Sequence, residues 1–214
     1  MKAGQGIKKM GSEIFYHVFT KSIAGYKIFV RRQDYRRMQK VICYYRYERE
    51  KKFSKVEELN NEKRGEKLVK VVSYCIMPTH LHFILGEEKD GGISKFMANI
   101  LNSYTKYFNL RYKRKGPLWE SRFKYVLIET DEQLLHLTRY IHLNPTTAGL
   151  VPKPENWEFS SYREFLNYKS SFNICEFADL IDMDLFEYKK FVEDYIGYQK
   201  QLHIIKKLIR FEED

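Results

Sequence analysis

Apolar positions along this chain switch between two periods, and the switches mark out an alternation of strands and helices. Ile14 to Thr20 (Ile-Phe-Tyr-His-Val-Phe-Thr) is rich in aromatic and β-branched residues and predicts a first strand. Tyr35, Met38, Val41, Ile42 and Tyr45 recur at helical spacing, which predicts a helix from Asp34 to about Lys52. The charged stretch Ser54 to Glu66 carries Asn60-Asn61 and Gly65 and reads as a solvated loop or a frayed helix end. Leu68 to Ile76 is apolar on both faces and predicts a second strand, which Pro78-Thr79 links to a third, ending at Gly86 and the Gly91-Gly92 turn. Phe96, Ile100, Tyr104 and Phe108 predict a helix from about Ile93 to Tyr112, broken by Gly116-Pro117. Phe123 to Glu129 is a fourth strand. Thr130, with Gln133 three residues on as a capping-box partner, opens a helix expected to stop near Leu143, before Asn144-Pro145.

The order β-α-β-β-α-β followed by a helix matches an α+β, ferredoxin-like (split βαβ) plan, an antiparallel sheet with helices on one face. In that plan the third strand is central, beside the first. Its second face is free to receive the helix that follows the fourth strand. Three segments are expected: a flexible basic lead (residues 1–12), the main domain (13–165) and a helical C-terminal extension (166–214). The extension should include helices near Asp184 to Tyr195 and Tyr198 to Phe211. No internal repeat or low-complexity segment stands out.

Composition narrows the function classes. Apolar content of 43% with 16% aromatic residues is enough for a packed core, which argues against global disorder. Lys plus Arg number 38 against 28 acidic residues, a net +10 that favours a polyanionic partner such as nucleic acid. Cys43, Cys75 and Cys175 are odd in number and scattered, which fits a reduced compartment and no disulfide framework. No apolar run approaches the ~20 residues of a membrane span, and the N-terminus lacks the apolar core of a secretory signal. A soluble, cytoplasmic protein associated with the nucleoid is the expectation.

Met77-Pro78-Thr79-His80-Leu81-His82-Phe83-Ile84-Leu85 carries the candidate chemistry. Strand alternation sends His80, His82 and Ile84 to one face and Leu81, Phe83 and Leu85 to the other. Two imidazoles on one face have metal-ligand geometry, although a half-buried strand whose polar face carries histidine twice fits as well. On the later helix Tyr140 and Asn144 are four residues apart on one face, with His136 a turn earlier. Leu134, Leu137 and Ile141 form the stripe that can dock on protein. If this helix crosses the histidine face, a tyrosine hydroxyl meets a two-histidine site and Asn144 can donate an oxygen ligand. Histidine with an amide oxygen suits Mg²⁺ or Mn²⁺, beside which a phenol can attack a phosphodiester. Against this, most of the 17 tyrosines must serve in packing, and Asn144 before Pro145 also reads as a helix end.

A third feature is the stretch from Tyr104 to Lys124. Lys106, Arg111, Lys113, Arg114, Lys115, Arg122 and Lys124 alternate there with aromatic residues that include Trp119. Cations that follow phosphates and rings that stack on bases suit single-stranded nucleic acid. An amphipathic helix with aromatics inward and lysines outward fits its first half equally well.

Together these residues resemble the HUH single-tyrosine transposases, and among them the REP-associated branch. His80-Leu81-His82 matches the family's His-hydrophobic-His strand. Gly116-Pro117-Leu118-Trp119-Glu120-Ser121-Arg122-Phe123 is similar to a segment of the branch. So is Arg139-Tyr140-Ile141-His142-Leu143-Asn144-Pro145 with Ala148-Gly149-Leu150-Val151, Trp157 and Ser160-Ser161-Tyr162. The matches run in the family's order over roughly residues 14–165. The resemblance implies that His80 and His82 hold Mg²⁺ or Mn²⁺ and that Tyr140 is the nucleophile. Asn144 stands where the family keeps a longer polar ligand, often glutamine. It further implies cleavage of hairpin-bearing single-stranded DNA through a 5′-phosphotyrosine link, with a free 3′ hydroxyl that later reseals the strand. Both a monomer and a homodimer are compatible with it. A non-catalytic DNA-binding regulator derived from a transposase, and a two-histidine hydrolase using an activated water, are the competing readings.

Overall fold

The computed structural model describes residues 13–55, 65–168 and 172–201. The expected lead, the middle of the charged 54–66 stretch and most of the Tyr198 to Phe211 helix lie outside them. The elements are β1 (Phe15–Lys21), α1 (Arg32–Tyr45), β2 (Val69–Ile76), β3 (His80–Glu87), α2 (Gly92–Arg111), β4 (Lys124–Ile128), α3 (Asp131–Thr147), α4 (Tyr162–Phe165) and α5 (Leu185–Glu193). The strands form one sheet in the order β2-β3-β1-β4, every neighbouring pair antiparallel. β3 therefore inserts between β1 and β2, the two strands that α1 connects, and the histidine strand is central.

Strand alternation divides the core into two. Leu81, Phe83 and Leu85 of β3 and Val18 of β1 face α1 and α2, packing among Met38, Ile42, Phe96, Ile100 and Tyr104. Ile84, Phe15, Val72 and Cys75 face the other way, against Leu134 and Ile141 of α3 and Tyr188 and Val192 of α5. Residues C-terminal to the main domain thus share a core with the sheet. β2 lies at an edge yet is buried along its whole length. The chain after α3 covers that edge: Ile76 N donates to Phe159 O, Ser161 N to Tyr74 O and Glu176 N to Val71 O. An edge closed in this way has no unpaired ladder to offer another chain, and it accounts for the two-sided apolar run in β2.

Two helix ends differ from expectation. α1 stops at Tyr45 rather than near Lys52, because the chain turns out to pair with the segment before β2. Glu48 N donates to Glu66 O and Leu68 N to Arg46 O, both at 2.8 Å, and these tertiary bonds outcompete the helical ones. α3 runs through Pro145 to Thr147. A proline in the last turns removes one N–H but leaves the following bonds available, and Ala148 N still donates to Asn144 O. The helix ends one turn later, at Gly149, whose φ of 70° suits a residue without Cβ. At the other end Thr130 Oγ1 accepts from Gln133 N, while Gln133 Oε1 accepts from Glu129 N. Among the described residues no helix is long and apolar enough to cross a membrane.

Candidate active site

β1 and β3 run side by side with Phe19 opposite His82 and Lys21 opposite His80. His17, two residues from Phe19, therefore projects from the histidine face, and its Nε2 lies 3.1 Å from His82 Nδ1. The rings of His17 and His82 are stacked, with centroids 5.3 Å apart, and those of His80 and His82 meet edge-on at 5.0 Å. His80 Nδ1 is engaged as well, 2.9 Å from Thr79 Oγ1. With Nδ1 of both rings occupied, Nε2 of each is the nitrogen left for an ion. Sequence reading passed over His17, although its place in an alternating strand paired with the histidine strand puts it on this face.

α3 crosses that face. The Tyr140 ring stands edge-on to His82 at a centroid distance of 5.8 Å and to His17 at 6.5 Å. The tyrosine and the histidines of one chain thus meet in one site. Tyr140 remains 40% exposed, enough to be reached from solvent. Asn144, one turn on, donates from Nδ2 to the Tyr140 carbonyl at 3.0 Å, which leaves Oδ1 as the atom of the amide able to face an ion. A cleft of about 630 Å³ opens between β4 and α3 beside the phenol, lined by His17, Val126, Gln133, His136, Leu137 and Tyr140 among others. His136 has its Nδ1 2.7 Å from Arg139 Nη2.

Burial sets the protonation states. It lowers the pKa of His17 to about 4. It lowers that of His80 to about 4 as well, helped by the Lys21 charge. His82 falls well below its usual value, through burial first and then through His80, His17 and Lys21. All three rings are neutral near pH 7, the state in which an imidazole donates a lone pair to a metal. Burial raises the Tyr140 pKa, opposed by a hydrogen bond from the Asn144 side chain. A resting phenol needs further stabilisation of its anion before it can attack. Among the described residues no three His, Cys, Asp or Glu side chains converge as a ready-made ion cage. The donor set that fits a divalent ion here is two imidazoles, an amide oxygen and water.

The cationic residues named from sequence divide among several surfaces. Lys106 lines a groove between α1 and α2, in the layer across the sheet from Tyr140, and Arg111 bonds Gln33 there. Lys113 and Arg114 join Tyr26, Lys27 and Tyr112 in another groove of about 480 Å³. Lys115 and Arg122 are exposed. Lys124 and Lys21 share a small pocket with Phe19, next to the histidines. Trp119 is committed to packing: its indole N–H donates to Thr105 Oγ1 at 3.1 Å and its ring sits beside Phe29 and Tyr104.

Comparison with known proteins bears on family and fold. Residues 15–144 match the family model described as Transposase IS200 like. A REP-associated tyrosine transposase of Haemophilus influenzae is 28% identical over a stretch covering 42% of this chain and 57% of the relative. One of Escherichia coli K12 is 26% identical over 42% of this chain and 52% of its own length. The match therefore spans only about half the length of these curated relatives. A solved structure of a REP-associated tyrosine transposase bound to a REP hairpin has the same fold, with a TM-score of 0.52 and 17% identity over 78% of this chain and 90% of that one. From the match over residues 15–144, with the tyrosine and two histidines gathered inside it, the chain belongs to the IS200-like transposase family.

Proposed function

We propose that the protein nicks and rejoins single-stranded DNA at hairpin-associated sites through a 5′-phosphotyrosine intermediate. The observation that carries this reading is Tyr140 standing 5.8 Å, ring to ring, from a histidine whose Nδ1 is already tied. His80 and His82 through Nε2, with Asn144 through Oδ1, would hold Mg²⁺ or Mn²⁺. Such an ion, when bound, supplies charge stabilisation at the non-bridging oxygens of a phosphodiester. The protein's side chains do the rest. When His82 donates its Nδ1–H to His17 Nε2, the ligating lone pair on Nε2 is fixed and the ring cannot swing. Tyr140 Oη attacks phosphorus and its proton is lost; the 3′ oxygen leaves and takes up a proton. The phosphotyrosine conserves the bond, so the 3′ hydroxyl can reverse the step without an external energy source.

Lys21 and Lys124 beside the histidines suit backbone phosphates, and the Tyr26, Lys113 and Arg114 groove suits a strand with unpaired bases. The hairpin bound by the structural relative supports this choice of substrate. The test is covalent trapping of hairpin-bearing single-stranded DNA with Mn²⁺, followed by denaturing electrophoresis. A DNA-protein adduct is expected for the wild type and not for Tyr140→Phe. Wild type giving none, or Tyr140→Phe giving one, overturns the proposal. The Lys113 and Arg114 groove, which shares no residue with the histidine and tyrosine site, would also serve, as a second reading, a DNA-binding regulator without chemistry. That reading predicts a His80→Ala/His82→Ala variant indistinguishable from the wild type.

A further inference from the structure

The side of α3 opposite Tyr140 is held by a buried polar joint. Thr138 and His142 are one turn apart, and each lies about 200° around the helix from Tyr140. Both are fully buried, as nearly is Tyr188 of α5. The Tyr188 hydroxyl spans them, 3.0 Å from Thr138 Oγ1 and 2.8 Å from His142 Nδ1. His142 Nε2 in turn lies 2.7 Å from Ser161 Oγ and 3.2 Å from Ser73 Oγ on β2. One ring is thereby fixed at both nitrogens, by the sheet, by the chain after α3 and by α5. Outside the joint, the Arg139 guanidinium lies over the rings of Phe191 at 4.3 Å and Tyr195 at 3.4 Å. Gln199 Nε2 donates to the Tyr140 carbonyl itself at 3.2 Å.

We propose that the C-terminal segment 185–199 is a positioning device for the nucleophile, with Tyr188 and His142 indexing the rotation of α3 so that Tyr140 points at the histidines. A single hydroxyl bonded to two groups one turn apart fixes both the roll and the axial shift of a helix. A slip of one residue, a turn of about 100°, breaks both bonds and swings the phenol off the site. Apolar contacts such as Leu134 and Ile141 on the sheet tolerate small rolls, because dispersion has little directionality; hydrogen bonds do not. The segment lies beyond the residues 15–144 that match the family model.

The inference rests on the reading of Tyr140 as nucleophile, and the experiment separates the two. Tyr188→Phe keeps the ring and removes the hydroxyl; Gln199→Ala, at a half-buried position, removes only the contact to Tyr140 and leaves the core intact. Amide hydrogen exchange is measured on the full chain, with single-turnover adduct formation at saturating hairpin DNA and DNA affinity by fluorescence anisotropy. For Tyr188→Phe, α3 amides should exchange about tenfold faster while β1 and β3 amides hold within about twofold. Adduct formation should slow about tenfold at unchanged DNA affinity. Gln199→Ala should show the same pattern about threefold in size, confined to the turn after Tyr140. Exchange rising equally in the sheet, or an unchanged α3, overturns the positioning role. A wild type without adduct defeats the nucleophile reading, while the exchange result still decides whether the segment holds the helix.

Discussion

His142 gives the most quantitative test of how the site is built. It is fully buried among the hydroxyls of Ser73, Ser161 and Tyr188 and the rings of Tyr162 and Phe165, and among the described residues no carboxylate is bonded to it. Burial lowers its pKa from 6.5 to about 3. Between those values the unfolded chain takes up a proton that the folded chain refuses. Stability is therefore greatest above pH 6.5 and falls as the pH drops toward 3. For this one ring the loss is about 2 kcal/mol between pH 7 and pH 5, and about 5 kcal/mol once both states are protonated. His17 and His80, held to about 4, add losses of the same sign, so the wild-type curve alone does not isolate His142. The comparison that does is His142→Gln, whose amide can still meet the hydroxyls but cannot titrate. Urea unfolding followed by circular dichroism at pH 7, 6 and 5 should give a variant less stable at pH 7. Its further loss on going to pH 5 should be smaller than the wild type's by about 2 kcal/mol. Parallel acid dependence in the two proteins would refute the claim that His142 is kept neutral. So would an imidazole nitrogen spectrum of the folded protein showing a charged ring at pH 5.

Other substitutions probe other links. His17→Ala, measured by calorimetric titration with Mn²⁺, should weaken binding about tenfold, because His82 loses the partner that orients it; unchanged affinity would remove His17 from the site. Gly92→Ala should destabilise by about 2 kcal/mol or more in urea unfolding, since the new Cβ would lie 2.2 Å from the Leu68 carbonyl oxygen. Trp119→Ala should cost about 2–3 kcal/mol of stability yet change hairpin affinity by less than about threefold. A large loss of affinity without loss of stability would instead make the indole a contact for bases.

How much of this was legible in the sequence depended on how local the physics is. Strand alternation alone sorted Leu81, Phe83 and Leu85 from His80, His82 and Ile84, and the structure divides its two cores along that line. The four-residue spacing likewise put Tyr140 and Asn144 on one face. Both arguments use only the backbone period, which tertiary packing seldom overrides once an element forms. Helix ends fared less well. Whether α1 continues past Tyr45 is decided by bonds to Glu66 and Leu68, some twenty residues away, and nothing in Arg46 to Lys52 announces them. Trp119 shows the same limit in a side chain: next to Arg122 and Lys124 it reads as a stacking surface, and only the position of Thr105 shows where its N–H goes.

His17 and His142 are the more instructive cases, because each needed a partner strand or helix before its role had any content. His17 shares a face with His82 only once β1 is paired with β3 in the observed register, and a shift of one residue would send it into the α1 and α2 layer. His142 stands two residues from Tyr140, so proximity in sequence invites a catalytic role; two residues on a helix put it on the far side instead. There it meets Tyr188, from a segment with no motif at all. The chemistry-bearing residues are thus readable from short spacings, whereas the groups that contact them are scattered through the sequence, from His17 to Gln199, and are identified only by the fold that brings them together. A tyrosine acting as nucleophile depends on direction as much as on proximity, and under the positioning proposal the Tyr188 bonds to Thr138 and His142 would set that direction from behind the helix.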